Sequence, residues 1–424
     1  METTVETSFL FFNITNLPSL ENNFLRSVSE KTPVFIRFST VTFGREFLDE
    51  GRNPRGFAIK FYTIDPIQGP DVIRSQARNP RNFLLDFDAL FDLLGNTPEG
   101  NHAGLMFFSD HGTPKGWRFN HGYGCHTFKW VNKGGKFVYI KYHFIAKHGQ
   151  KQFTWPEAVQ MWGEDPDYSK RDLWDAIKVG GEIEWTANVQ VMDPEDADPE
   201  KLGFDPFDVT KVWPRSQFPM QEFGRLVLNK NPENFHPDVE LSAFSLGSTM
   251  LFYRDAQYHR IGINLDQVPV NCPFMAQSFS TLNFDGQMRV DANHAGNKQY
   301  APNTFAHKFR PDTAEAPYQV SDNIVSRKSY YWHEGKRSEY DQPRELWTKV
   351  MNDQQRKNTI YNTATLLKLV KCPEIQISAE SPLQKKCLAQ VYNIVVDYAQ
   401  GVYDMLPKKD FDFSEAVILL DWRQ

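Results

Sequence analysis

Histidine is absent from the first 101 of the 424 residues, and the 11 imidazoles begin at His102. Any chemistry that needs an imidazole from the opening hundred residues is therefore excluded. Cysteine is also scarce. Cys125, Cys272, Cys372 and Cys387 show no paired short spacing, which speaks against a disulfide framework and reads as reduced, intracellular thiols. No apolar run approaches the ~18 residues of a membrane span, and no basic region precedes the short apolar patch Phe9 to Phe12. Neither a membrane helix nor a secretion signal is expected. With 47 basic and 53 acidic residues the net charge is -6, so the chain lacks the basic excess of a general nucleic-acid binder.

Aromatic residues, by contrast, are plentiful. They make up 14% of the chain, with 34 Phe and 10 Trp, enough to line a wide apolar cofactor pocket as well as a core. The length and a hydrophobic content of 40% allow one large domain or two to three smaller ones.

Alternating β-branched and aromatic residues mark strands at Pro33 to Thr42 and Gly56 to Thr63, with a Pro/Gly turn at Arg52-Asn-Pro-Arg-Gly56 between them. Further strands are expected at Gly104 to Ser109, Gly122 to Val131, Phe137 to Phe144, Glu184 to Met192 and Phe223 onward. Helical spacing marks Phe83 to Leu94, Arg171 to Ile177, Arg344 to Val370 and Pro382 to Met405, and Ser19 to Val28 could form a short capped helix. Evenly spaced strands with Gly-containing connections point to an antiparallel sheet closed as a barrel.

Strand alternation puts Arg37 and Ser39 on one face and Phe38 on the other. Arg37 is either a solvated edge arginine or a buried one that needs an anionic partner. His126 is either a hydrogen-bonded core residue or a ligand. A denser group of polar residues lies in Met250 to Asn264, where Tyr253, Arg254, Asp255, His259 and Arg260 follow an apolar run. In a helix, Tyr253 and Arg260 share a face about two turns apart, a spacing that suits a flat anionic cofactor. A phenol is neutral at pH 7, so Tyr253 is a strong ligand only where a metal or cation stabilises the phenolate. The alternative is a core tyrosine beside a surface charge cluster.

Several motifs decide between these readings. Tyr253-Arg-Asp-Ala-Gln-Tyr-His-Arg260, followed by Gly262, Asn264 and Gln267-Val-Pro-Val-Asn-Cys-Pro273, resembles the proximal signature of the monofunctional haem catalases, in which tyrosinate is the iron ligand. The R-F-S-T of Arg37 to Thr40, the N-P-R-G-F-A of Asn53 to Ala58 and the G-Y-G-x-H-T-F around His126 match the same family, and the likeness runs from about residue 23 to 405. It implies an α+β fold with an antiparallel β-barrel core, a wrapping segment and C-terminal helices. The corresponding boundaries are an N-terminal arm, shorter than the family's, over 1–30; a barrel core with the haem pocket over 31–275; a wrapping segment over 276–343; and a helical region over 344–424. By resemblance Tyr253 binds iron, Arg37 and Arg260 hold haem propionates, and Ser39, Val41 and His126 line the pocket. The implied activity is haem-dependent disproportionation of hydrogen peroxide by an oxidoreductase, as a homotetramer, without nucleic-acid or membrane partners. NADPH is not expected, because His111, Ile145 and Arg215 stand where NADPH-binding members carry other polar or basic residues. A peroxisomal or cytoplasmic location is implied, although the end, Asp421-Trp-Arg-Gln424, is not a peroxisomal tripeptide.

Three features of the family are missing. The V-H-A-K-G-A-G-A stretch with the distal histidine has no counterpart; Thr63 runs directly into Ile64-Asp-Pro, without the G-x-N-x-P-x-F-F segment that holds the distal asparagine; and Thr249 replaces an arginine four residues before the ligand tyrosine. No catalytic residue is therefore assigned, and Ser39 is the surviving neighbour of the missing groups. Impaired turnover is expected, from a degenerate or incompletely represented gene product. The alternatives are a non-enzymatic haem-binding protein and a peroxidase-like haem enzyme.

Overall fold

The computed structural model describes residues 9–14, 31–40, 48–61, 78–132, 136–243, 257–271, 338–370 and 395–406. Its centre is an eight-stranded antiparallel sheet. Strands β1 (Phe9–Ile14), β2 (Lys31–Thr40), β3 (Arg55–Phe61), β4 (Gly122–Tyr123), β5 (Phe128–Val131), β6 (Phe137–Ala146), β7 (Ile183–Met192) and β8 (Gln221–Lys230) take the order β3-β2-β1-β8-β7-β6-β4, with β5 also on β6. Among the described residues β3 pairs only with β2, and β4 and β5 only with β6, so the ladder has no closing pair. The expected antiparallel sheet is present; the pairing that would close a barrel is not among the described residues.

Burial explains the strands. Along β7 the side chains of Ile183, Trp185, Ala187 and Val189 are all buried while Glu184, Thr186 and Asn188 are partly exposed, the period of two that holds one face against a core. Trp185 is fully buried, and its indole N–H donates to the Asn120 carbonyl at 2.8 Å. Phe38 of β2 lies 5.6 Å from both Trp117 and Trp185, centroid to centroid. Ile36, Trp130, Ile140, Phe223, Leu226 and Leu228 complete this core.

Helices α1 (Phe87–Asn96) and α2 (Asn101–Phe108) precede β4, and α3 (Trp155–Glu164) and α4 (Tyr168–Lys178) separate β6 from β7. A short α5 (Pro199–Leu202) follows β7, and α6 (Asp341–Glu345), α7 (Asp353–Leu367) and α8 (Val396–Met405) lie near the C-terminus. The C-terminal helices share a second core with α1 and α2, in which Phe91, Leu105 and Phe108 meet Trp347, Met351, Leu367, Tyr398 and Val402. Gln342 of α6 ties this layer to the loop after β7: its side-chain amide donates to the Val212 carbonyl and accepts from the Val212 N–H, both at 2.9 Å.

Several expectations need correction. Of Gly104 to Ser109, expected as a strand, Gly104 to Phe108 belong to α2 and Ser109 caps it. Its apolar run buries Leu105 and Phe108 three residues apart against Phe91, and a short continuous apolar run carries no period that separates strand from helix. The strand expected over Gly122 to Val131 is two strands, β4 and β5, separated by residues 124–127. The helix expected from Phe83 begins at Phe87, where Asp86 caps it by accepting from Ala89 N at 3.2 Å. Phe83 itself has a positive φ of 61°, outside the helical region. The helical stretch from Arg344 to Val370 is interrupted, because Asn352 forms a capping box with Gln355 and starts α7 afresh. Helix α3 was not anticipated. The predicted helix over Ser19 to Val28, most of the wrapping segment, and residues 382–394 of the last expected helix lie outside the described residues.

Replacing Trp185 with alanine removes one of the largest fully buried side chains of the sheet core. A loss of about 3–5 kcal/mol in unfolding free energy is expected, read as a lower midpoint in urea denaturation.

Candidate functional site

The residues expected to serve a cofactor are only partly within the described structure. Tyr253 and Val41 lie outside it, as does Thr249. Arg37 and Ser39 sit on β2 on the face opposite buried Phe38, and both are half-buried, as the alternation of the strand predicts. Their cross-strand neighbours are Ala58 and Gly56. The choice of glycine is forced here: a Cβ at position 56 would stand 2.6 Å from Ser39 Oγ and 3.3 Å from its carbonyl oxygen. Gly56 thus makes room for the hydroxyl at the very register position where the sequence has N-P-R-G.

The connection into β3 is unusually rich in buried charge. Asp49, Glu50 and Arg52 are 1%, 0% and 4% exposed. Asp49 accepts from the Lys170 backbone N–H at 3.0 Å and pairs with its ammonium at 3.0 Å. Arg52 donates to the carbonyls of Phe107, at 2.6 Å, and Ser109, and its guanidinium lies 5.0 Å over the ring of Trp155. Arg55 donates to the carbonyls of Asp49, Gly51 and Asn53 and lies 5.7 Å over Trp117. Burial lowers both arginines to about 10, so both remain cationic at neutral pH. The turn that ends in Arg55 is in this way bolted to α2 and α4.

Arg260 sits at the end of the short helical stretch 257–261. It donates to the carbonyls of Glu240 and Ser242, both at 2.7 Å, and to Gln257 Oε1 at 3.0 Å. A propionate at this guanidinium would share these protons or displace one of the acceptors. His126 is half-buried beyond β4, with Nδ1 at 3.4 Å from Cys125 Sγ, and its ring centroid lies 6.4 Å from that of Phe128.

Of the positions weighed for NADPH, Ile145 and Arg215 come together in an open pocket of about 460 Å³ that also takes in His121, Tyr123, Thr186 and Asn188. His111 is turned to Gln152, with 3.1 Å between the His111 Nδ1 and the Gln152 Nε2. Burial, with Arg215 and His111 nearby, lowers the pKa of His121. Burial also holds His102 and His143 near 4, with Lys211 adding to the effect at His102.

Three buried titratable groups escaped the sequence reading. Glu50 is pushed up to about 7 by burial, and Lys141 is lowered to about 8 by burial while its ammonium donates to the Lys211 carbonyl at 2.9 Å. The third is His143, whose Nε2 meets Gln190 Oε1 at 2.9 Å. Each sits in a turn or a strand whose local pattern does not separate it from surface charge, so no local signal marked them.

A family model described as Catalase matches residues 10–307. The chain belongs to the catalase family. A second model, Catalase-related immune-responsive, matches residues 333–406. Among similar catalases, Catalase-A of Dictyostelium discoideum is 37% identical over 396 residues, covering 85% of this chain and 78% of its own. The catalase of Methanosarcina barkeri (strain Fusaro / DSM 804) is 38% identical over 378 residues, covering 81% and 73%. A fungal catalase crystal structure superposes with a TM-score of 0.81 at 30% identity, covering 96% of this chain and 88% of that one. Catalase A from Saccharomyces cerevisiae gives 0.79 at 30% identity, covering 95% and 88%. The fold is therefore a catalase fold, and the α+β arrangement of the described residues agrees with it.

Gly56→Ala pushes a methyl group into the Ser39 hydroxyl and is expected to cost about 1–3 kcal/mol. Ser39→Ala in the same chain should recover part of that loss, because the two atoms in conflict are then no longer both present. A double-mutant cycle in urea measures the coupling.

Proposed function

We propose that this catalase-family chain binds haem and disproportionates hydrogen peroxide to water and oxygen, at a rate well below that of relatives with a complete pocket. The observation that carries the reading is the family match over residues 10–307, which spans both the R-F-S-T strand and the Tyr253 motif. The described residues fit the group in part: a half-buried cation and a hydroxyl stand side by side on β2, with glycine opposite the hydroxyl. Arg37 is assigned to neutralise one propionate, Arg260 to another, and Tyr253 to bind iron as phenolate, with Ser39, Val41 and His126 lining the pocket. Bound haem would supply a metal that exchanges electrons with successive peroxide molecules. The closed barrel, the four-part division at residues 30, 275 and 343, and the homotetramer belong to the same reading. Among the described residues no helix is long and apolar enough to cross a membrane, and the Pichia angusta relative is named a peroxisomal catalase; residence inside the cell, in peroxisome or cytoplasm, is proposed on that footing. NADPH is left out of this reading, because His111, Ile145 and Arg215 stand where NADPH-binding members of the family carry other polar or basic residues.

The reduced rate follows from the interior of the chain. Cleaving peroxide requires moving a proton between its oxygens and stabilising charge as the bond polarises. Thr63 adjoins Ile64 where the family inserts its asparagine segment, and Thr249 offers no cation to the phenolate. Loss of one aimed donor costs on the order of 10²–10³ in rate. The same absences support a second reading, haem binding without peroxide turnover or with peroxidase-like oxidation of organic substrates.

Oxygen release from peroxide by the chain reconstituted with haemin is expected at least about 100-fold below that of a relative with the complete pocket; comparable turnover would refute the impairment. A Soret band that forms with haemin and is lost or strongly shifted in Tyr253→Phe is expected on either reading, and no haem uptake at all would overturn both. Dye oxidation without oxygen release would favour the peroxidase-like alternative.

A further inference from the structure

Glu50 is a carboxyl group that the proposed haem chemistry leaves idle, and its surroundings are specific. It has no exposed surface. Oε1 accepts a hydrogen bond of 2.6 Å from the Ser169 hydroxyl on α4, 119 residues away in sequence. Oε2 is buried and has no hydrogen-bond partner. The charged and titratable groups that act on it are Asp49 and Arg55 from its own turn and the start of β3, with Tyr168 from α4, while Lys170 of α4 reaches Asp49 beside it. None forms an ion pair with it among the described residues. Arg55 is committed to three backbone carbonyls and Lys170 to Asp49 and Asp167. Among the described residues an ionised Glu50 thus has the Ser169 hydroxyl and its own backbone N–H as donors and no cation in an ion pair with it, whereas a protonated Glu50 removes the charge from the interior.

The same few residues hold the turn to the helix. Asp49 N–H donates to the Pro166 carbonyl at 3.0 Å, and Asp49 also receives the Lys170 N–H. The turn leads directly into β3, whose partner β2 carries Arg37 and Ser39.

We propose that Glu50 is a buried proton switch, which fastens the turn before β3 to α4 when protonated and loosens it when ionised. The switch goes beyond the haem reading and is independent of it. Losing the proton to solvent leaves a buried carboxylate whose nearby cation, Arg55, acts on it without a hydrogen bond because its guanidinium is taken up by three backbone carbonyls, and opening the contact lets water solvate it. Burial, with Asp49 nearby, raises this carboxyl from 4.5 to about 7, against the opposing pull of Ser169 and Arg55. Between those values the closed form holds more protons than the open one, so the contact weakens as pH rises from about 4.5 to 7 and levels off above. His102 and His143, held near 4, act in the opposite sense, strengthening the fold as pH rises from about 4 to 6.5. The informative quantity is therefore the difference between wild type and a Glu50 variant.

The test is amide hydrogen exchange of Asp49 in the full chain from pH 5 to 8, normalised to intrinsic rates, in wild type, Glu50→Gln and Ser169→Ala. Glu50→Gln keeps the shape of the protonated acid and cannot ionise. Normalised exchange in the wild type is expected to rise on the order of tenfold to a hundredfold with pH; in Glu50→Gln it stays flat, and Ser169→Ala moves the midpoint upward because the donor to the carboxylate is gone. A flat wild-type profile, or the same slope in Glu50→Gln, overturns the proposal. If Glu50→Gln does not fold, the wild-type profile and the Ser169→Ala midpoint decide alone: a midpoint unmoved or lowered by that substitution overturns it.

Discussion

Buried charge must be answered from within the protein, and the turn that feeds β3 concentrates that constraint. Moving a carboxylate or guanidinium out of water costs several kcal/mol unless its polar atoms find partners. Asp49, Arg55 and the Nη1 of Arg52 find theirs in different places: an ammonium and an N–H on α4, carbonyls of the turn itself, and carbonyls at the end of α2, while the rest of the Arg52 guanidinium lies over the Trp155 ring. Satisfying the charges is therefore the same act as docking the helices. The chain continues outward, because Asp110, just past α2, accepts from the side-chain amides of Asn358 and Asn362 on α7 at 2.6 and 3.3 Å. One polar route thus joins the β2–β3 hairpin to the C-terminal helices alongside the two apolar cores.

This arrangement bears on what the catalase fold contributes here. Arg37 and Ser39 project from a strand whose other face is sealed by Phe38 on two tryptophans. The hairpin can neither rotate about β2 without exposing that aromatic face nor shift its register by one residue without exchanging the two faces. Gly56 adds a local restriction, since only that register puts a residue without a Cβ opposite the hydroxyl. A cofactor-facing wall is in this way made rigid by groups that never touch the cofactor.

The strands were legible because alternation repeats over many residues: β2, β3, β6, β7 and β8 are all found where period-two runs stand in the sequence. The long polar stretch 145–220 hid α3, although Thr154-Trp-Pro-Glu157 carries the capping-box pattern that starts it. Gly104 to Ser109 misled for the opposite reason, since six residues with almost no polar member have no face to choose. Family membership was legible from motifs spread along the chain, and the positions of Arg37 and Ser39 from strand alternation alone. Partners separated by a hundred residues were not. Nothing near Glu50 announces Ser169, and nothing near Arg260 announces that the carbonyls of Glu240 and Ser242 would meet its guanidinium.

The bond pair between Gln342 and Val212 has a further meaning. A primary amide that both gives and takes at one peptide unit imitates a neighbouring strand, yet it reads only main-chain atoms. The side chain of Val212, 52% exposed, takes no part in the recognition. Substitution can therefore drift freely at 212 while 342 stays narrowly confined, since asparagine is one methylene too short and glutamate lacks the proton to give. A join between two halves of a molecule is here written at one address only.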